Sequence, residues 1–196
     1  GGLTMNIDVH AHYVPAESLQ MAIRIGARHG LTMAKDARGR AVVARDGRPF
    51  LTQPKDEFSD VGLRLSIMDR QGVDMQVLSP ASSYFFYWMP AADSLEYPRW
   101  LNDEIAGVVA GRPKRLLGLA SVPMQDGTIA AAELERAMGR LGLRGATGDD
   151  DLRGGLLAAE FPDGLARLPH RFAGDGAGVD DDGVVEARIR RVTAHD

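Results

Sequence analysis

The chain has 196 residues, 44% hydrophobic and 26% charged, with a net charge of −4. That length suits one domain with a real core, and the mild negative charge argues against a general nucleic-acid partner. There is no cysteine, which excludes disulfides and thiolate metal sites, and no apolar run approaches the roughly 20 residues that span a bilayer. No basic start followed by an apolar stretch marks a signal peptide, so a cytoplasmic address is expected.

Residues 5–10 read as the first strand, and Asp8-Val9-His10-Ala11-His12 stands at its C-terminal end. Strand side chains alternate with period two, so His10 and His12 point to the same side. Two neutral imidazoles on one face can hold a divalent metal, typically zinc. Catalytic zinc takes three protein ligands and an open position, so further ligands have to come from elsewhere.

Pro15 to Gly30 suits a helix with Leu19, Ile23 and Ile25 as apolar residues; His29 falls near its end, where it stabilises the C-terminus. Residues 31–52 read as a small hairpin excursion around Asp36-Ala37-Arg38-Gly39, with a second turn at Asp46-Gly47. A helix follows, with Ser59 as N-cap, Val61, Leu65 and Met68 on its buried face, and Gly72 at its stop. Val73 to Leu78 is the second strand. An amphipathic helix starts near Pro98 and carries Trp100, Leu101, Ile105, Val108 and Val109. Leu116 to Val122 is the third strand, Asp126 caps the next helix, and Leu143-Arg144-Gly145 starts a fourth strand.

Strands alternating with helices at this spacing argue for parallel βαβ units. A barrel is favoured over a doubly wound sheet, because the first strand lacks a Gly-x-Gly-x-x-Gly turn and carries a His pair there instead. The loop from Ser79 to Pro90 would then lie at the catalytic mouth. Tyr84, Phe85, Phe86 and Trp88 could wall an apolar or aromatic substrate pocket. Equally, these rings could pack against the excursion or a dimer partner.

After Gly145 the character changes. Residues 146–196 hold 8 Gly, 9 Asp and no Lys, and carry a charge of −5 against +1 for the first 145. Such composition predicts low order. His170 follows Pro169 without a β-branched run before it, and His195 is next to the last residue, so neither reads as a ligand.

The motifs in order resemble the amidohydrolase-related proteins close to aminocarboxymuconate semialdehyde decarboxylase. The matching pieces are Ile7-Asp8-Val9-His10-Ala11-His12, the run from Ile67 to Ser79, Trp100-Leu101-Asn102-Asp103, the run from Gly118 to Asp126, and Leu141-Gly142-Leu143-Arg144-Gly145. The resemblance covers about the first 145 residues. It implies a (β/α)8 TIM-type barrel with a divalent metal, most often Zn2+, at its C-terminal mouth and with His10 and His12 as two ligands. A third ligand His ending the fifth strand, a later acid/base His and an Asp after the eighth strand complete the family's site. It also implies nonoxidative decarboxylation of a small unsaturated or aromatic carboxylic acid, with metal-dependent hydrolases among the relatives. In the decarboxylase an Arg after the Phe of the excursion grips a substrate carboxylate. Here Leu51 follows Phe50, so a different acid is expected, with Arg48 the nearest substitute.

The expected architecture is therefore α/β: residues 1–145 as the N-terminal half of such a barrel with an excursion at 31–52, and 146–196 as an irregular acidic tail. The expected function is that of a metal-dependent carboxy-lyase. The alternatives are a hydrolase of the same superfamily and an inactive truncated or frameshifted half-barrel that binds a partner. Four strands cannot close a barrel, which favours a homodimer.

Overall fold

The computed structural model describes residues 5–148. The first strand, β1, runs from Ile7 to Tyr13 and so contains both histidines rather than ending at the first. Helix α1 (Ser18–Gly26) stops early and continues as a 3-10 turn, Ala27–His29, closed by Gly30 at φ 85°. The left-handed conformation there is the reason for glycine.

The excursion is larger than a hairpin. β2 (Leu31–Lys35), β3 (Ala41–Arg45) and β4 (Arg48–Thr52) form an antiparallel meander in that order. Asp46 and Gly47, both at positive φ, make the two-residue turn between β3 and β4. The expectation was a small hairpin with a second turn at Asp46-Gly47; the structure adds β4 after that turn, with Pro49 tolerated because β4 is an edge strand.

After the single turn α2 (Asp56–Ser59), helix α3 spans Val61–Gln71. Its N-cap is Asp60, whose side chain accepts from the Leu63 amide, rather than Ser59. β5 (Met75–Pro80) lies parallel to β1. A short α4 (Ala91–Ser94) leads to α5 (Glu96–Ala110), in which Pro98 occupies the first turn, where its missing N–H costs nothing. The third strand is split into β6 (Leu116–Gly118) and β7 (Ala120–Ser121). Helix α6 (Gly127–Gly139) is capped by Asp126, whose carboxylate accepts from the Thr128 and Ile129 amides. β8 (Ala146–Thr147) ends the described chain.

β1, β5 and β6 pair in that order, all parallel, and β7 pairs with β8. The Leu119 amide donates to Leu78 and the Ala120 amide to Gly145, so the split strand hands its pairing from β5 on one side to β8 on the other. Each strand is the neighbour of the last, with no reversal of order. That is the winding of a barrel, not of a doubly wound sheet. The molecule is a partial (β/α)8 barrel.

Two apolar clusters lie on opposite faces of the sheet. The larger includes Ala11, Tyr13, Leu78, Leu116 and Ala120 with the helices and the excursion. The smaller joins Ile7, Met75, Val77, Leu117 and Leu119, with Val9 against it, on the face that looks into the barrel. The sequence beyond Gly148, with His170, His195 and nearly all of the expected acidic tail, lies outside the described residues.

Candidate metal centre

β1 does not run straight past β5. Asp8 sits opposite Gln76 and Ala11 opposite Leu78, so Val9 and His10 together face the single residue Val77. This is a β-bulge, a device that re-aims side chains. It puts His10 and His12 on the barrel side of the sheet, above the Ile7, Val77 and Leu119 cluster. His10 is exposed and His12 half-buried. Their Nε2 atoms are 3.3 Å apart, with the rings at 76°. Two imidazole nitrogens on one tetrahedral zinc are separated by about the same distance, roughly 3.3 Å for bonds near 2.0 Å. The pair therefore fits a metal as two of its ligands. Ser79 on β5 lies opposite His12, its Oγ 3.2 Å from His12 Nδ1. The tautomer that donates Nδ1–H to Ser79 turns the Nε2 lone pair toward His10.

A chain of buried polar groups runs beneath the pair, on the helix side of the sheet. Asp8 Oδ1 accepts from the His10 amide at 3.0 Å, and Asp8 Oδ2 accepts from Gln76 Nε2 at 2.7 Å. Gln76 Oε1 accepts from Arg64 Nη1 at 3.0 Å. Arg64 Nη2 donates to the His12 carbonyl at 2.6 Å and to that of Phe58 at 3.3 Å. Arg64, Gln76 and Asp8 are 6, 7 and 9% exposed. Burial pushes the Arg64 guanidinium below its ordinary range, opposed by the charges of Asp8 and Tyr13. Sequence reasoning missed Arg64, because an arginine on a helix is normally read as solvated. The available signal was Gln76 in a largely apolar strand; by period two Asp8 reads on the same face as His10 and His12, and only the bulge turns it to the other.

The rings expected as pocket walls are placed as follows. Tyr84, Phe85 and Phe86 are buried and Trp88 is half-buried. Tyr84 stacks on Tyr97 of α5 with centroids 5.7 Å apart, and Phe86 meets the same ring edge-on at 4.8 Å. Phe85 stacks on Tyr87 at 5.1 Å. Trp88 lies edge-on to Phe50 of β4 and under the Arg45 guanidinium, 3.7 Å from its centroid. Burial raises the Tyr84 phenol to about 12. These rings thus join the loop to α5 and to the excursion.

His29 contacts Asp93 of α4 through Nε2 at 3.1 Å and lies edge-on to Trp88. Arg48 is exposed, beside Arg45, Asp46, Pro49 and Phe50, which line an open depression on the excursion; Leu51 is buried. Among the described residues no group of three or more His, Cys, Asp or Glu is placed to hold a metal. None of their helices is long and apolar enough to cross a membrane.

Winding and parallel pairing define the class, a partial barrel of the TIM type. The chain belongs to the Amidohydrolase family, whose pattern it matches over residues 7–175. It is 33% identical over 142 residues to 2-amino-3-carboxymuconate-6-semialdehyde decarboxylase of Dictyostelium discoideum, covering 72% of this chain and 39% of that protein. The chain therefore spans about two fifths of that relative's length. Among solved structures, 5-carboxyvanillate decarboxylase from Sphingomonas paucimobilis superposes with a TM-score of 0.54 at 28% identity, over 76% of this chain and 44% of the other. The dihydroxybenzoic acid decarboxylase of Polaromonas sp. JS666, solved with manganese and 2-nitroresorcinol, shares the fold at a TM-score of 0.54 and 24% identity, over 75% of this chain and 39% of the other.

Proposed function

We propose that the chain carries the first part of the active site of a metal-dependent, nonoxidative decarboxylase acting on a small unsaturated or aromatic carboxylic acid. The observation that carries this is the convergence of His10 and His12 Nε2 at 3.3 Å on the barrel face, at the C-terminal end of β1. Such a position is where barrels of this type assemble their chemistry. Relatives named as decarboxylases of an unsaturated and of an aromatic acid supply the substrate class.

His10 and His12 hold the ion. Ser79 fixes the His12 ring through Nδ1, and the aromatic loop from Tyr84 to Trp88, with Phe85 and Phe86, borders the substrate's side of the mouth. A divalent ion supplies a Lewis acid for the substrate's oxygens and acidifies bound water. Imidazole ligands favour zinc; a site completed by carboxylates elsewhere shifts the preference toward manganese. The proposed partner is a small carboxylic acid rather than nucleic acid, in keeping with the net charge of −4.

A second reading has its own support. Only two ligands converge among the described residues, which suits a half-barrel that binds without catalysing. Hydrolysis by the same ion is a third reading, separated from decarboxylation by substrate alone. The test is carbon dioxide release from a dihydroxybenzoic acid and from 5-carboxyvanillate by the full chain loaded with Zn2+ or Mn2+. Turnover lost in His10→Ala/His12→Ala supports the decarboxylase. Metal binding that His10→Ala/His12→Ala leaves unchanged overturns the reading of the pair as ligands; stoichiometric binding by the pair with no turnover of either acid favours the other two readings.

A further inference from the structure

We infer that the buried series Arg64, Gln76 and Asp8 is a positioning device for the two histidines, setting the metal affinity of the pair from beneath the sheet. The inference rests on the reading of His10 and His12 as ligands. None of the three touches the barrel face, yet the series ends on the backbone of both histidines. At one end Arg64 Nη2 donates to the His12 carbonyl; at the other Asp8 Oδ1 accepts the His10 amide. The bulge explains why the second contact matters. Two residues of β1 oppose one of β5, and the displaced amide at His10 finds its acceptor in a side chain of its own strand. Gln76, on β5, then ties that carboxylate to Arg64 on α3. The bulge, and with it the 3.3 Å approach of the rings, is thereby keyed to helix docking.

Stability alone is a poor reason for this arrangement. A guanidinium 6% exposed, whose Nε has no partner among the described residues, is a costly way to fill space under a sheet. Outer partners of metal-bound histidines ordinarily change affinity about 10–100-fold when removed. Here the lever would act through the ligands' backbone rather than through their rings.

The experiment titrates Co2+ into the full chain and follows both affinity and the visible absorption band, for the wild type and for Gln76→Leu, Arg64→Met, Arg64→Lys and Asn102→Ala. Asn102 lies in a different buried cluster, so its variant controls for lost stability. The expected result is about a 10-fold or greater loss of Co2+ affinity with a shifted band in Gln76→Leu and Arg64→Met. Arg64→Lys restores part of it, since an ammonium can still donate to the His12 carbonyl, and Asn102→Ala leaves it unchanged. Equal affinity and an unmoved band in Gln76→Leu overturn the inference; so does an equal loss in Asn102→Ala. Binding that persists in His10→Ala/His12→Ala, or no uptake by the wild type, overturns the ligand reading instead. The positioning role is then decided by hydrogen exchange at the His10 amide: faster in Gln76→Leu upholds it, unchanged exchange overturns it.

Discussion

The described residues hold two buried polar clusters, and they are built differently. One is closed. Glu133 of α6, wholly buried, accepts from Arg99, Arg136 and Asn102, and Asn102 in turn bridges the Ser121 carbonyl and amide of β7. Glu133 first, and then Asp103, hold the Arg136 guanidinium above its ordinary range. Each partner returns to the cluster, so its effect is to fasten α5, α6 and β7 together. The other cluster is linear: Arg64, Gln76 and Asp8 lead from α3 through β5 to the backbone of the histidines. A closed cluster locks a fold, whereas a linear one conveys the position of one element to another. The difference separates residues whose loss lowers the stability of this chain from residues whose loss detunes its site.

Four changes test that separation. The largest effect on stability is expected from Glu133→Ala, which removes one buried acceptor from each of Asn102, Arg99 and Arg136. Allowing for the partial exposure of both arginines, the loss is about 2–4 kcal/mol by urea denaturation. A cost below about 0.5 kcal/mol would show the cluster to be ornamental. Next comes Gly118→Ala. A Cβ there meets Ile105 Cγ2 at 2.6 Å and Leu143 Cδ2 at 2.8 Å, where β6 passes under α5. Ile105 is fully buried and branched, so overpacking should cost about 1–3 kcal/mol, read as a lowered melting temperature. Gly118→Ala at wild-type stability would mean that α5 shifts freely, contrary to a fastened layer.

By contrast, His10→Ala/His12→Ala should change stability by less than about 1 kcal/mol, since His10 is exposed and His12 half-buried. A large destabilisation would make the pair structural and erase the distinction. The smallest effect belongs to Glu104 on α5. Burial first, then the charges of Glu17 and Asp103, raise its carboxyl above the ordinary value. A raised carboxyl favours the protonated form in the fold, so its contribution is present at low pH and lost as pH rises through the folded value. Glu104→Gln should therefore stabilise the chain at pH 7 by about 0.3 kcal/mol, discounted for its partial exposure. That gain should vanish below about pH 4, where the unfolded carboxyl is protonated. A destabilised variant at pH 7 would reverse the sign.

What could be read in the sequence follows the same division. The strand before His10 and His12, the caps at Gly72 and Asp126, and the parallel winding depend on local pattern, and all were legible. The third excursion strand was not, since Pro49 masks it. Arg64 was not legible either. It shares the buried stripe of α3 with Met68, one helical turn away, but its burial exists only because Gln76 and Asp8 arrive from two strands distant in sequence. The bulge has no signature of its own: it follows from the register of β1 against β5, which is a tertiary fact. Likewise, the sequence leaves wall and packing roles equally open for Tyr84 and Phe86, because the contact of Tyr97 with both is made only in the tertiary structure.

The most direct test of the central claim is the metal content of the purified full chain by elemental analysis, with His10→Ala/His12→Ala alongside. The account predicts near-stoichiometric zinc or manganese, lost in the double variant. Metal-free protein, or a content that the substitutions leave unchanged, would contradict it.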